Sequence, residues 1–455
     1  MCGICGMFDM SNEKRTNMEV LKRMTSTLNH RGPDAEGFYV NGNVSLGFAR
    51  LSIIDLEGGM QPIFNEDDSL VLLCNGEIYN YIEIKNELME KGHRFKTNCD
   101  VEVIVHMYEE YGADFVDKLN GQFGFIVYDF KRNRMLCARD HVGIAPFFYT
   151  VVDNMFIFGS EIKAILEHPL VKREVDLIGL DQVLTFPGMV SPRTLVKNIS
   201  SLENGHYLLV QDKNIRNIEY WDLIYPQTGE LSYDKDENYY IEKLDEAITK
   251  AVKYRLQADV PVGFYISGGL DSSLIASKIH QLDSTPNRHS FSIDFTEKNI
   301  SESKYQRMVA QHVQSNHHET LFHFSDIANR LQDAVYYSEC ALKETYNTAS
   351  MALSQRVREE NIKVVLTGEG ADELFGGYVG YKFDKLRQNQ VKDQNSEEEL
   401  LNKQIHRRVW GDEDFVYEKN HVQNNILKKQ LYSQDVGEKF DQIDCTNYSI
   451  INKDR

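Results

Sequence analysis

VPVGFYISGGLDSSLIAS, residues 260–277, joins an apolar segment, a glycine turn and a helical segment in that order. The apolar segment is typical of a buried strand, and Gly268 and Gly269 permit a sharp turn and a close approach of the backbone to a ligand. Unpaired N–H groups at the start of the helix, with serine hydroxyls around them, favour a bound phosphate. The lysine of a Walker loop and the third glycine of a dinucleotide fingerprint are missing, which argues against both of those sites. For a lone SGG, an ordinary strand-turn-helix corner is the alternative.

Composition and charge exclude several classes of protein. The chain has 455 residues, 42% hydrophobic and 26% charged, which is typical of a soluble protein with two or three domains. A net charge of −19 argues against nonspecific nucleic-acid binding. The apolar runs are too short to span a membrane. Seven cysteines, an odd number spread along the chain, do not form the pattern of a disulfide framework, so we expect a cytoplasmic protein.

Two interpretations compete for Cys2 in the N-terminal segment MCGICGMF. Cys2 and Cys5 form a CxxC pair, which in other contexts is half of a zinc site or a redox pair, but no second pair at metal-binding spacing follows. Alternatively, removal of Met1 leaves the thiol of Cys2 beside its own α-amino group, a base with a free pKa of roughly 7.7–8.0. The second interpretation makes Cys2 a nucleophile and Cys5 a small buried residue.

The first half of the chain alternates helical and extended patterns. Met18, Leu21, Met24 and Leu28 are spaced as one apolar helix face. Two further helices are predicted at residues 81–91 and 101–111. Extended patterns occupy residues 43–55, 69–80, 121–130, 134–140 and 146–160. Short turns between several of them indicate antiparallel pairing, so we expect helices and antiparallel sheets in layers.

Five motifs in this half occur in a recognisable order. They are CGI at the N-terminus, HRGPD at 30–34, ARLSIID at 49–55, CNGEIYN at 74–80 and Asp100 at the head of a helix. This set resembles the glutaminase domain of class II glutamine amidotransferases, which are N-terminal-nucleophile hydrolases. The resemblance implies a layered αββα fold of the N-terminal-nucleophile hydrolase type over residues 1–212.

The same resemblance implies a role for each matching residue. Cys2 is the expected nucleophile, and the Asn75 side chain with the Gly76 N–H would stabilise the oxyanion. Arg50 would hold the α-carboxylate of glutamine, while Glu77 and Asp100 would hold its α-ammonium group. The expected glutamine-binding residues are Arg50, Leu51, Ser52, Ile53, Ile54, Asn75, Gly76, Glu77 and Asp100. Taken singly, Asn75-Gly76 is more typical of a hairpin turn, Arg50 and Glu77 of surface charges, and Asp100 of an N-cap.

The pattern changes in the second half. Residues 224–237 are polar and are predicted to be a linker, followed by a long helix at 238–257. Strands then alternate with helices, which predicts a parallel α/β sheet whose ligands bind at the carboxyl ends of the strands. SGGLDSS at 267–273 and TGEGADELFGGY at 367–378 are expected at two such ends. Acidic loops at adjacent strand ends suit a magnesium-nucleotide site.

SGGLDSS resembles the pyrophosphate-binding loop of ATP pyrophosphatases. With GEGADELFGGY, it makes residues 213–455 similar to the synthetase domain of glutamine-hydrolysing asparagine synthetases. The resemblance implies ATP and Mg²⁺ as cofactors, Asp271 and Asp372 as magnesium or pyrophosphate partners, and Glu369 as a catalytic residue. The implied ATP-binding residues are Ile266, Ser267, Gly268, Gly269, Leu270, Asp271, Ser272, Ser273, Ile293, Thr367 and Gly368. Thr367 stands where the family usually has serine.

The pattern departs from the family at two places. A VExRxPFLD-like motif and a lysine facing the adenylate are not found after Tyr378, so we expect the synthetase domain to be incomplete at its C-terminus. The family pattern for the carboxylate substrate cannot be aligned within SECALKETY at 338–346.

The leading hypothesis is an ATP-dependent ligase that converts aspartate to asparagine through β-aspartyl-AMP, with ammonia from glutamine. One alternative is a related amidotransferase acting on another carboxylate. Another is a glutaminase-only or regulatory chain with an inactive synthetase half. Glutamine, aspartate and ATP are the expected small-molecule partners, without nucleic acid or membrane, and a homodimer stays open.

Overall fold

The structure is a computed structural model that describes residues 1–224, 235–283, 285, 287–297, 299–388, 396–415 and 419–451. Most of the predicted linker at 224–237 lies outside these residues. The chain forms two compact units. The first contains Met1–Lys172 and Ile199–Gly368, and the second contains Arg173–Asn198 and Glu369–Arg455.

In residues 1–221, helices separate groups of consecutive strands. The strands are β1 (Gly3–Asp9), β2 (Ala35–Asn41), β3 (Val44–Arg50), β4 (Ile63–Phe64), β5 (Leu70–Ile78), β6 (Gly121–Asp129), β7 (Arg134–Arg139), β8 (Phe148–Val152), β9 (Met155–Gly159), β10 (Ser200–Ser201), β11 (His206–Gln211) and β12 (Asn214–Glu219). The helices are α1 (Met18–Ser26), α2 (Tyr81–Glu90), α3 (Val103–Tyr111), α4 (Ile162–Ile165) and α5 (Leu177–Thr185).

These strands form two antiparallel six-stranded sheets. Their orders are β10-β8-β9-β1-β3-β2 and β12-β11-β7-β6-β5-β4. The sheets pack face to face through a shared apolar core, to which β1 contributes Ile4, β3 contributes Leu46 and β5 contributes Leu73. α1 and α4 contact the first sheet, while α2 and α3 share a second core with the other sheet. The four layers confirm the predicted αββα architecture.

One local prediction needed correction. The extended pattern at 43–55 ends as a strand at Arg50, and the next residues leave the sheet to form a loop. The extended segment predicted at 69–80 is confirmed as β5, and Asn75 and Gly76 lie inside it and pair with β6. The predicted helix around Met18 is confirmed, and the Asn17 side chain caps it by accepting hydrogen bonds from the N–H groups of Glu19 and Val20.

Residues 237–366 form a parallel sheet with flanking helices. The strands are β13 (Val262–Tyr265), β14 (His289–Phe295), β15 (Asn316–Phe322) and β16 (Val364–Leu366). The helices are α6 (Glu237–Arg255), α7 (Leu270–Leu282), α8 (Ser303–His312), α9 (Phe324–Ser338) and α10 (Tyr346–Glu359). The order is β15-β14-β13-β16, and all three pairings are parallel. The prediction of a parallel α/β sheet is therefore confirmed.

The second compact unit is helical in its described part. Besides α5 it contains α11 (Ala371–Phe375), α12 (Val379–Gln388), α13 (Glu397–Val409), α14 (His421–Leu431), α15 (Gln434–Gly437) and α16 (Phe440–Ile443). Phe186, Ile405, Val409 and Cys445 form its apolar core. Within the described residues, every helix is too short or too polar to cross a lipid bilayer.

Candidate functional site

Cys2 immediately precedes β1, and its thiol faces the loop that follows β3. The N–H of Leu51 donates to Cys2 Sγ at 3.4 Å. Cys5 lies three residues further along the strand, so its side chain points to the opposite face. The thiol of Cys5 is fully buried, 3.3 Å from the hydroxyl of Thr25 on α1. The two cysteines therefore do not form a metal or redox pair within this structure.

Cys2 lines a cavity of about 40 Å³. The cavity is lined by Met1, Cys2, Phe48, Arg50, Leu51, Ile53, Ile54, Gly59, Gln61, Gly76, Glu77, Cys99, Asp100 and Val101. It thus brings together most of the residues that the glutaminase resemblance implies. Ser52 and Asn75 are not among the lining residues. The N–H of Ser52 instead donates to Asp34 Oδ2 at 2.7 Å.

Asn75 lies in the middle of β5 and is fully buried. Among the described residues, neither its amide nitrogen nor its amide oxygen has a hydrogen-bond partner. A buried amide without partners carries a free-energy cost, so a ligand group that pairs with it would be favoured. At the neighbouring Gly76, a Cβ atom would stand 2.1 Å from the carbonyl oxygen of Gln122. Glycine is therefore required beside Asn75 on steric grounds.

Charged groups of both signs line the cavity. Arg50 is almost fully buried and donates from Nη1 to the carbonyl of Leu56 and from Nη2 to that of Asp55, at 3.0 and 2.6 Å. A guanidinium has five donors, so N–H groups remain for a substrate carboxylate. Burial and the negative charge of Asp100 raise the pKa of Glu77 to about 7. Burial likewise raises the pKa of Asp100 to about 6. The cavity therefore disfavours the charged forms of these two carboxylates and would favour a cation beside them.

The HRGPD segment contacts the backbone of Cys2. Arg31 Nε donates to the carbonyl oxygen of Cys2 at 3.0 Å, and Arg31 Nη1 donates to Glu161 Oε1 at 3.0 Å. His30 Nε2 lies 2.9 Å from the same Glu161 oxygen. A Cβ at Gly32 would lie 2.1 Å from the carbonyl oxygen of Ala49. This segment therefore packs directly on β3 and holds the backbone of Cys2 through Arg31.

The second group of predicted residues lies at the carboxyl end of β13. Gly268 has a φ of 86°, a conformation that favours glycine, and the chain then enters α7. Ser267 and Ser272 connect the two sides of the turn, because the Ser267 N–H and hydroxyl lie 3.1 and 2.9 Å from Ser272 Oγ. The Ser273 hydroxyl donates to the carbonyl of Gly269 at 2.6 Å. The turn thus fixes the first N–H groups of α7 in place.

The strand next to β13 brings Thr367 and Gly368 to this turn. A Cβ at Gly368 would lie 2.9 Å from the backbone nitrogen of Ser272 and 3.0 Å from Cβ of Asp271. Ile266 is buried and donates its N–H to the carbonyl of Phe291 on β14, the strand that also carries Ile293. Leu270, in contrast, is 83% exposed. Glu369 and Asp372 belong to the second compact unit, where Asp372 lies in α11.

Two further sets of contacts join distant segments of the first compact unit. Lys363 donates to Asp34 Oδ2 at 2.6 Å and to the carbonyl of Ser52 at 3.3 Å. The Glu339 carboxylate accepts hydrogen bonds from the N–H groups of Ile162 and Lys163, at 2.6 and 2.7 Å. These partners are 177 and 176 positions apart in sequence, so no local pattern could have indicated them.

The comparisons with known proteins agree with this layout. Residues 1–221 match the family model described as a glutamine amidotransferase domain, and residues 243–443 match the one described as asparagine synthase. The glutamine-hydrolysing asparagine synthetase 3 of Bacillus subtilis is 34% identical over 394 residues, which are 83% of this chain and 63% of that protein. The amidase chyE of Penicillium rubens is 33% identical over 412 residues, which are 85% of this chain and 60% of that protein.

This chain covers a larger share of a third relative. A Methanocaldococcus jannaschii protein, provisionally named a glutamine-hydrolysing asparagine synthetase, is 32% identical over 414 residues, which are 85% of this chain and 78% of that protein. The chain spans 63% of the length of the Bacillus relative and 60% of the Penicillium relative. On the combined match of both halves, the chain belongs to the glutamine-hydrolysing asparagine synthetase family.

Proposed function

We propose that the chain releases ammonia from glutamine at Cys2 and uses it in an ATP-dependent amide ligation at the turn that joins β13 to α7, called the β13 turn. The observation that carries this proposal is that the Cys2 thiol, the Arg50 guanidinium, the buried Asp100 carboxylate and the half-buried Glu77 carboxylate line one cavity. A glutamine molecule presents an amide, an α-carboxylate and an α-ammonium group, and each has a chemical partner there. Family membership supports the second half-reaction.

The nucleophile requires a base. Burial raises the pKa of the Cys2 thiol, so the thiol is neutral near pH 7 and must lose its proton as it attacks. The α-amino group of Cys2 supplies that base once Met1 has been removed. Met1 also lines the cavity, whose volume of about 40 Å³ admits only a few water molecules. Removal of Met1 would therefore create both the base and room for the substrate.

The substrate groups are assigned by charge and hydrogen bonding. Arg50 holds the α-carboxylate through its remaining N–H donors. Glu77 and Asp100 hold the α-ammonium group, which relieves the cost of burying their two negative charges. The N–H of Gly76, which lines the cavity, and the orphaned amide of the adjacent Asn75, which does not line it in this structure, would donate to the oxyanion as the tetrahedral intermediate forms. Leu51, Ser52, Ile53 and Ile54 form the loop beside the substrate.

The β13 turn holds the nucleotide. The N–H groups at the start of α7 and the hydroxyls of Ser267, Ser272 and Ser273 would bind the phosphates. The remaining proposed ATP-binding residues are Ile266, Gly268, Gly269, Leu270, Asp271, Ile293, Thr367 and Gly368. Mg²⁺ would supply charge neutralisation between Asp271, Asp372 and the pyrophosphate, and Glu369 would support attack by ammonia on the acyl-adenylate.

Aspartate is the proposed acceptor, converted through β-aspartyl-AMP to asparagine. Relatives of nearly equal identity carry the names asparagine synthetase and amidase, so the acceptor must be measured. Exchange of labelled pyrophosphate into ATP, assayed across a panel of small carboxylates, identifies the carboxylate that is adenylated. Exchange with another carboxylate and none with aspartate would overturn the aspartate assignment. The cytoplasm as location and a homodimer as assembly remain predictions.

The glutaminase half is tested by a matched pair of cysteine variants. Cys2→Ala should abolish glutamine hydrolysis. Cys99 is the other cysteine among the residues that line the cavity, but it lies inside the chain and has no α-amino group to act as its base. Cys5→Ala should leave most of the hydrolysis intact. Mass spectrometry of the active protein should show Cys2 as the first residue. Full activity with Met1 retained would contradict the proposed base.

A further inference from the structure

A cluster of two histidines and two glutamates lies away from the Cys2 cavity, on the helical side of the second sheet. Glu66 precedes β5, His93 follows α2, and His106 and Glu109 are on α3. Each of these four residues offers one ligand atom, and the four atoms lie within 4.8 Å of one another. We call this set the His-Glu cluster. Two imidazoles and two carboxylates are ligands that Zn²⁺ and related divalent transition metals accept.

The buried member of the cluster lacks hydrogen bonds. The side chain of His106 is fully buried, and among the described residues neither ring nitrogen makes a hydrogen bond of acceptable geometry. Its Nδ1 nevertheless lies 3.2 Å from Glu66 Oε2. A buried polar group without a partner is costly. A cation between this nitrogen and the Glu66 carboxylate would satisfy both groups.

An outer carboxylate orients the imidazole of His93. His93 Nδ1 lies 3.2 Å from Glu66 Oε1, while its Nε2 lies 3.1 Å from Glu110 Oε1. Glu102 Oε1 lies 3.6 Å from His106 Nε2, without a hydrogen bond between them. A metal-binding histidine usually donates its second ring N–H to a carboxylate in this way, which leaves the first nitrogen free to bind the ion. Glu110 therefore corresponds to the supporting partner of a metal-binding His93.

We propose that the His-Glu cluster binds one divalent transition-metal ion, with Zn²⁺ as the representative ion. The two carboxylate ligands balance the charge of a dication, and the exposed Glu66 and Glu109 give the ion a path from solvent. Bound metal would fix residues 93–99, the segment that leads to Asp100 in the cavity. Glu102 already holds this segment by accepting the N–H groups of Lys96 and Thr97 at 2.6 and 2.7 Å. The site does not depend on the proposed enzymatic function.

The test uses the full chain carrying Cys2→Ala, so that the N-terminal thiol cannot bind the metal. After treatment with chelator and its removal, Zn²⁺ is titrated by calorimetry and Co²⁺ by visible absorption. We expect one ion per chain and the strong visible bands of tetrahedral Co²⁺, without the near-ultraviolet charge-transfer band that a thiolate ligand gives. Zn²⁺ should also raise the melting temperature.

Variants separate ligands from bystanders. The supporting change Glu110→Gln should weaken Zn²⁺ binding about 10–100-fold. His93→Gln and Glu109→Gln remove ligands and should weaken it more, and should also abolish the rise in melting temperature. His206→Gln is the matched control, since His206 is a partly buried histidine 3.8 Å from Glu219 outside the cluster. Absence of saturable binding, or equal affinity in His93→Gln and His206→Gln, would overturn the proposal in favour of a metal-free ion-pair cluster.

Discussion

The backbone N–H of Asp55 donates a hydrogen bond to Asp259 Oδ2 at 2.7 Å, across 204 positions of sequence. The N–H of Asp259 in turn donates to the carbonyl of Ile53 at 3.0 Å. Asp259 lies between α6 and β13, in the part of the chain that matches the asparagine synthase model. The loop that lines the Cys2 cavity is therefore held by the half of the chain that carries the turn between β13 and α7.

Loss of the Asp259 carboxylate should impair glutamine binding more than overall stability. In Asp259→Ala the N–H of Asp55 loses its acceptor, and the loop at 51–55 gains conformational freedom that a bound substrate must remove. One such hydrogen bond contributes about 0.5–1.5 kcal/mol, so we expect the KM for glutamine to rise about three- to tenfold. Steady-state glutaminase kinetics measure this change, with exposed Asp333→Ala as the control. An unchanged KM in Asp259→Ala would show that the loop holds its shape without Asp259.

Glu77→Gln should stabilise the fold while weakening substrate binding. The pKa of Glu77 is raised to about 7 from an ordinary value of 4.5. Its contribution to stability is therefore complete below about pH 4.5 and is lost as the pH rises through 7. Each unit of pKa corresponds to 1.36 kcal/mol, and partial exposure reduces the total, so the variant should gain about 1–3 kcal/mol at pH 8.

Urea unfolding at about pH 8 and pH 5 tests the sign of this effect. The gain in the free energy of unfolding should be much smaller at the lower pH, because the wild-type carboxyl is then largely protonated. The same variant should have a higher KM for glutamine, since the α-ammonium group loses one anionic partner. A loss of stability at pH 8 would mean that Glu77 is held as a favourable anion, contrary to its surroundings.

Glu161→Gln should destabilise the protein and slow the reaction at Cys2. Burial would raise the pKa of Glu161, but hydrogen bonds from His30, Lys163 and Arg31 outweigh burial and lower it to about 2. The stabilisation is therefore present above about pH 4.5 and is lost as the pH falls toward 2. At neutral pH we expect a loss of about 2–3 kcal/mol. Glutaminase kcat should also fall, because Arg31 holds the carbonyl of Cys2.

Denaturant unfolding and glutaminase rates can be compared with Glu36→Gln, which changes an exposed glutamate on β2. The stability difference between the two variants should shrink on acidification from pH 7 to about pH 3. If Glu161→Gln proved as stable and as active as Glu36→Gln, the buried ion pairs around Arg31 would have no part in positioning Cys2.

The order of elements and the layered architecture followed from the sequence, because hydrophobic periodicity records which face of each element is buried. The ends of the strands were predicted less accurately than the order of the elements. Residues 51–55 continue the apolar pattern of β3, yet they leave the sheet, because their partners are Cys2, Asp34 and Asp259. The apolar side chain of Ile53 lines the cavity and does not pack in the sheet. Hydrophobic periodicity does not distinguish a residue that lines a cavity from one that packs in a sheet.

The motifs predicted residues that lie near the cavity, but the contacts that support these residues could not be predicted from the sequence. Arg31 and Glu161 form one ion pair from segments that are 130 positions apart. The His-Glu cluster likewise draws on three separate segments, with no spacing typical of a metal motif. Such constellations arise from tertiary packing, and a single chain without its fold contains no local signal for them.

Gly368→Ala should disrupt the nucleotide turn without affecting the glutaminase. The added Cβ would lie 2.9 Å from the Ser272 nitrogen, closer than real Cβ atoms approach a neighbour, and in a tight contact of 3.0 Å with Asp271 Cβ. The start of α7 must then move, so its N–H groups no longer converge on a phosphate. We expect the Kd for magnesium-ATP to rise more than about tenfold, a change of 1.4 kcal/mol.

The matched control for this steric argument is Gly188→Ala, because no described atom lies within 4 Å of a Cβ built at Gly188. Both variants replace glycine by alanine at positions that do not require a left-handed backbone, so the difference between them measures the contact with Asp271 and Ser272. Calorimetry with magnesium-ATP and an assay of glutamate release should be run on the same preparations. Unaltered ATP binding in Gly368→Ala would move the nucleotide away from this turn. A parallel loss of glutamine hydrolysis would instead indicate that the substitution unfolds the first compact unit as a whole.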